Sequence, residues 1–319
     1  MKLPKWIAKP FDFAKELFVN FGKDDSFTLG ASLAYYIVFS FAPMLVVLLA
    51  ITSFFAGREA VSGQLFSQLN SLLGADAAAT IQELVENAYQ TGESWWAMLL
   101  GIGTLIFTAT TVFNALKMSI NRIWELESRP GNTIMGFILD RVLRFSMVLV
   151  LGFMLLTTLV LNAVVVAFVE KIAAFIPLLG PTMLTTVTFT IDLALTTCII
   201  ASLFRFLPDA IVRWRDIWAG AIFTSLLFII GKVLIGFYIG NSNFGSTYGA
   251  AGGLITLLVW TYYNSQIIFL GAEFTWVWAR RNGHPIQPNE YAVHIVRQVI
   301  EQESVPVLPE YANKEQDQA

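Results

Sequence analysis

The sequence predicts an all-α polytopic membrane protein: a bundle of six transmembrane helices with both termini cytoplasmic. Three observations carry that expectation. Of 319 residues, 56% are hydrophobic and only 13% charged, whereas a soluble globular domain has about 25% charged residues. Six segments, at roughly 29–55, 95–117, 142–168, 183–207, 217–240 and 251–279, meet the ~20 apolar residues that a helix needs to cross ~30 Å of hydrocarbon. They are continuously apolar and do not alternate, so helices are expected and a β-barrel is not. Finally, basic residues fall in every second connection. Lys2, Lys5, Lys9, Lys15 and Lys23 precede the first span; Lys117, Arg122, Arg129, Arg141 and Arg144 lie around the second connection. Arg205, Arg213 and Arg215 flank the fourth, and Arg280 and Arg281 follow the last span. The intervening connections hold only Arg58, Lys171 and, between Tyr238 and Tyr248, nothing basic. Positive charge marks the cytoplasmic side, and six spans place every basic connection there.

Taken in order, residues 1–28 form a cytoplasmic amphipathic segment. Within it WIAKPFDFAKELFVNFGK mixes aromatics and lysines at near-helical spacing. This helix either lies in the membrane interface or packs on the bundle. Span one is read as an uncleaved first span, too long for a signal-peptide apolar region. It bears a stripe of Ser32, Tyr36, Ser40 and Pro43. A proline there removes a backbone hydrogen bond and kinks the helix, a hinge or cavity wall in the making. The outer loop 57–94 repeats Leu65, Leu69 and Leu72, then Ile81, Leu84, Val85 and Ala88, the pattern of two short amphipathic helices capping the outer face. Residues 280–319 form a cytoplasmic tail, with one more helix expected over 289–301 and a polar, disordered end from Pro306.

Ionisable residues at membrane depth are costly and face protein or water. Asp192 on span four and Lys232 on span five both fall roughly 12–14 Å below the outer boundary at 1.5 Å per residue. Matched depth and opposite sign predict that they face each other, as a relay or as a register-fixing ion pair; the alternative is a Lys232 that snorkels outward. Span six carries polar groups on two stripes. Gly249, Gly253, Thr256, Trp260, Asn264, Ile267 and Gly271 form one; Tyr262, Gln266, Phe269 and Glu273 form another, roughly opposite. Neither face suits lipid, so span six is expected at the centre, with its small residues permitting close approach. Asn264 and Gln266 either hydrogen-bond across helices or line a cavity, and Glu273 is expected to pair with Arg205. Arg141, Arg144, Arg205, Arg213 and Arg215 are candidate phosphate contacts, although they also serve the charge bias.

Other chemistries find little support. The single cysteine, Cys198, allows no intrachain disulfide, and both histidines, His284 and His294, lie in the tail. No G-x-x-x-x-G-K-[ST] loop occurs. Metal-assisted phosphodiester cleavage needs clustered ligands, and the acids of the spans are isolated. No catalytic residue, metal or cofactor is expected.

Several blocks resemble a known family. LAYYIVFSFAPMLVVLLAI, NRIW at 121–124, FRFLPDAIVRWRDIWAGAIFTS at 204–225 and YGAAGGLITLLVWTYYNSQIIFLGAEF at 248–274 are similar to those of the YihY/BrkB family of bacterial inner-membrane proteins, once labelled ribonuclease BN. The resemblance implies six spans with both ends inside, a place in the bacterial inner membrane, and a role near envelope lipid export or virulence. It carries over no catalytic residues. The expected function is transport or export of a lipid or amphipathic envelope component. Membrane lipids are the expected partners, with no nucleic acid; a non-transporting scaffold is the alternative.

Overall fold

The computed structural model describes residues 5–40, 95–129, 181–241 and 252–295. The outer loop, the third span, Pro43, Arg141, Arg144 and the tail beyond 295 lie outside the described residues. Those described are mostly helical. Helix α1 is Lys5–Lys23, α2 Ser26–Ser40, α3 Trp95–Ile123, α4 Pro181–Phe206, α5 Trp214–Asn241 and α6 Gly252–Arg281. Among the described residues, three segments are long and apolar enough to cross a membrane: Phe189–Phe206, Trp214–Ile235 and Gly252–Arg281.

Helix α6 is the hub. It packs against α5, α1 and α3, and Gly30 of α2 sits against its Tyr262 and Gln266 side chains. Both predicted stripes are therefore covered by protein. The α5–α6 contact rests on a reciprocal motif, a glycine followed four residues later by threonine on each helix. Gly220 of α5 lies under Thr275 of α6, and Gly271 of α6 lies under Thr224 of α5; a Cβ at either glycine would stand within 2.9 Å of the opposing threonine Cβ. Each threonine hydroxyl donates to the carbonyl of the glycine on its own helix, Thr224 to Gly220 at 2.6 Å and Thr275 to Gly271 at 2.8 Å. The hydroxyl is satisfied within its own helix, so each threonine, its Oγ1 nearest, can sit directly on the bare backbone of the opposing glycine. Small residues are what close approach in lipid requires, because no hydrophobic force drives helices together there. Further along, Gly231 accommodates the Tyr263 ring and Ile267.

Helix α1 packs one face on α6, with Leu17 and Phe21 buried and the Phe13 ring edge-on to Phe274 at 5.1 Å. Glu16 bridges Arg280 and Arg281. Its other face leaves Phe11, Phe18 and Val19 exposed. The turn into α2 uses Asp25 at φ 54°, a left-handed conformation that Asp tolerates better than most residues. The Asp25 carbonyl accepts from Leu29 N–H at 3.0 Å, and its carboxylate takes Arg122 of α3.

The buried core gathers at one end, called basal here, where α3 and α6 finish and α5 starts. Ile120 from α3, Trp124 just past it, Phe204 from α4, Ile217 from α5 and Phe269 from α6 are among its fully buried members. The Trp124 indole N–H donates to Ala272 O at 2.9 Å. Toward its other end, α5 exposes Ile230, Val233, Leu234 and Phe237, the outward apolar surface of a helix whose solvent is lipid.

Two small antiparallel sheets close the basal end. β1, Leu126–Ser128, pairs with β4, Ala292–His294; β2, Ala210–Ile211, pairs with β3, Gln287–Pro288. The helix expected over 289–301 is therefore corrected over its described part. Residues 292–294 are extended because Leu126–Ser128 offers them a strand edge, which outweighs a weak helical pattern.

Candidate functional site

Asp209, Asp216 and Glu273 are buried at the basal end, and the surroundings of Asp209 and Glu273 differ. Asp209 lies in the loop between α4 and β2. Lys117 Nζ reaches its Oδ1 at 2.8 Å. Ser128 Oγ and Asn121 Nδ2 donate to its Oδ2 at 2.7 and 3.0 Å. The Asp209 N–H donates to Asn121 Oδ1 at 2.9 Å, and its carbonyl accepts Asn289 N–H at 3.0 Å. One residue thus ties α3, β1, the α4–α5 loop and the tail. Burial pushes the Asp209 carboxyl up, but the Lys117, Ser128 and Asn121 contacts more than offset it and hold it below its ordinary value. Sequence reading had missed this cluster. Its partners are 81 and 88 residues away, and no local spacing marks them; only the acid of the LPDA turn, at an apolar helix end, hinted at it.

Glu273 of α6 is the opposite case. Its side chain is fully buried, and neither carboxyl oxygen makes a well-formed hydrogen bond among the described residues, although Asp24 and Asn20 stand close enough to bear on it. Asn20 and Asp24, at the α1–α2 junction, and Glu125, just past α3, are the polar groups closest in influence. The pairing of Glu273 with Arg205 does not occur. Arg205 donates to Val212 O and lies over the Trp214 ring, 5.5 Å from its centroid. Equal depth says nothing about which way a helix face turns, and Glu273 turns toward α1.

The other sequence candidates scatter. Asp192 and Lys232 form no ion pair: Asp192 is half-buried and Lys232 exposed. Its neighbour Gly231 faces α6, and one residue along a helix is a rotation of about 100°, so Lys232 points away beside exposed Val233 and Leu234. Tyr36 is exposed within an aromatic face that includes Tyr35 and Phe39. Ser40 donates to Ile37 O at 2.9 Å, within its own helix. Asn264 likewise donates to Trp260 O at 2.7 Å. Gln266 alone reaches across, its Nε2 meeting Ser26 O of α2 at 3.3 Å, while its Oε1 has no partner. Arg213 and Arg215 are exposed at the start of α5. The groups that the fold does bring together are Gln266 and Glu273, seven residues apart on one face of α6, with Asn20, Asp24 and Ser26 opposite.

Comparison with known proteins places the chain. It is 27% identical over 296 residues to a UPF0761 membrane protein of Psychrobacter sp. (strain PRwf-1), covering 90% of this chain but about half, 52%, of that relative's length. A UPF0761 membrane protein of Pseudoalteromonas atlantica is 28% identical over 283 residues, 86% of this chain and 88% of its own. A Bacillus subtilis protein named ribonuclease-like YfkH is 24% identical over 280 residues, 86% and 97% of the two chains. No solved structure matches. The family model described as virulence factor BrkB matches residues 17–293, nearly all of the described helical body included, and the chain belongs to that family of membrane proteins.

Proposed function

We propose that this chain is a six-span inner-membrane protein, with both termini cytoplasmic, that moves a lipid or another amphipathic envelope component and catalyses no covalent chemistry. The observation that carries the reading is the polar face of α6. A helix of membrane-crossing length presents Gln266 and Glu273 to the inside of the protein with three carboxyl and amide oxygens unpartnered. A helix that served packing alone would carry apolar residues there, since unpaired buried polar atoms cost about 1–3 kcal/mol each. The alternating basic connections support the orientation. A non-transporting scaffold is the second reading, favoured by the Gly–Thr crossing that locks α5 to α6.

The test is reconstitution into vesicles of phosphatidylethanolamine and phosphatidylglycerol bearing fluorescent analogues of each lipid. Transport predicts faster exposure of inner-leaflet label than in protein-free vesicles. No acceleration for either lipid favours the scaffold. Reporter fusions at both termini check orientation, with cytoplasmic signals expected from each.

A further inference from the structure

We propose that Glu273 is the inner wall of a site for one monovalent cation, a proton or a sodium ion, entered from the α1–α2 turn. The site stands whether or not the chain transports a lipid.

The argument starts from charge. A carboxylate taken out of water needs a compensating positive charge. Glu273 is completely buried, and both its oxygens lack a partner. Every basic group near the basal end is engaged or turned away. Arg122 pairs with Asp25, Arg205 is held by Val212 O and Trp214, and Lys117 belongs to Asp209. Arg280 and Arg281, two turns further along α6, hold Glu16, and Lys23 is exposed. From α5, Gly220, Phe223 and Thr224 meet this stretch of α6 and all are neutral, while buried Asp216 near the start of α5 adds a further carboxyl and no cation. The side chains that do address Glu273 add negative charge or none: Asp24, Glu125 and Asn20. Among the described residues, therefore, no basic side chain is paired with this negative, enclosed position.

A second observation marks the same seam. Among the described residues, five of the buried side-chain atoms that lack partners belong to this seam: Asn20 Nδ2, Ser26 Oγ, Gln266 Oε1 and both Glu273 oxygens. In native proteins such atoms are paired with water, ions or ligands. Glu273 itself offers two hard oxygen donors of the class that hard cations take, and an enclosed carboxyl without a counter-charge is neutralised equally well by a proton. Half-buried Asp24 and exposed Glu125 lead from solvent to it.

The experiment uses the full chain in detergent micelles. Thermal unfolding is followed from about pH 6 to about pH 9, in sodium chloride and in choline chloride, for wild type and Glu273→Gln. Wild type in choline is expected to lose roughly 3 °C or more across that range, whereas Glu273→Gln, which needs no cation, loses none of it. If sodium restores the high-pH loss, the occupant is sodium; if it does not, the occupant is a proton. Identical pH and sodium responses in the two proteins overturn the proposal. Should the variant not fold, carbodiimide labelling of wild type reads the same site, because the reagent attacks protonated carboxyls in apolar surroundings. Adduct at Glu273 that falls at least several-fold with rising pH or with added sodium supports the site. No adduct there, or one indifferent to both, overturns it.

Discussion

Removing the Lys117 amine leaves Asp209 a buried carboxylate held only by the neutral donors Ser128 and Asn121. Losing one partner of a buried ion pair costs about 3–5 kcal/mol, mostly the cost of stranding the other charge. Lys117→Met is therefore expected to lower the unfolding midpoint far more than loss of the partly exposed Glu16–Arg281 bridge, since such surface pairs contribute about 1 kcal/mol or less. The Asp209 carboxyl is held below its ordinary 3.8 in the folded protein. Its contribution is thus present in full above that value and is lost as pH falls through the folded value. Unfolding measured down through acid should show a loss below about pH 4, flattened in Asp209→Asn. A wild type and Asp209→Asn with superimposable acid limbs would rule the linkage out.

At the scale of elements, the α5–α6 crossing makes a sharper statement. Gly271→Ala puts a methyl 1.8 Å from the Thr224 Oγ1 and 2.8 Å from its Cβ and Cγ2, and no rotation about χ1 moves the Cβ away. Overpacking of this kind costs about 1–3 kcal/mol. Thr224→Ala removes the Cγ2 and the hydroxyl, and with them no bond that α5 needs from outside, because the hydroxyl bonds Gly220 O. The Cβ at 2.8 Å remains, so the double variant should recover part of the loss; strict additivity of the two changes would mean that the contact is not the cause. The helices themselves were legible in the sequence. Spans expected at 183–207, 217–240 and 251–279 appear as Pro181–Phe206, Trp214–Asn241 and Gly252–Arg281, because an uninterrupted apolar run has few other ways to satisfy its backbone. Helix rotation was not legible. Depth fixed the height of Asp192, Lys232, Arg205 and Glu273 but left the azimuth open, and each pairing built on depth alone turned out otherwise. The two sheets were illegible for a different reason: strands of two or three residues carry no period, and their pairing is set by chain segments far apart.

The whole molecule divides into a dense basal end and an apolar shaft. Core side chains, both sheets and the Lys117–Asp209 pair occupy the first; Val233, Leu234 and Phe237, exposed on α5, mark the second. Stability should therefore be lost from the basal end. Ending the chain after Asn282 removes β3 and β4, and with them the partners of Ala210–Ile211 and Leu126–Ser128. It also removes the Asn289 N–H from Asp209 O. Although α6 is intact in such a truncation, it is expected to unfold at lower temperature and to be cleaved by protease near residues 125–129 and 207–213. Equal protease resistance in the two forms would show the tail to be ornamental. The contrast between shaft and base was legible as composition, an apolar middle between charged flanks; that the flanks fold onto one another was not.

Strands 287–288 and 292–294 leave the ribosome after every helix described above. Until they dock, the loop around Asp209 has one carbonyl unmet and a strand edge open on either side. The membrane helices can thus be inserted while the basal end is still open, and its closure waits for the strands that follow the last of them. A chain stalled or clipped before them would display extended, unpaired backbone next to a poorly sheltered ion pair, the kind of surface that quality-control proteases grip. The segment that looks like an afterthought in the sequence is the latch that shuts the basal end.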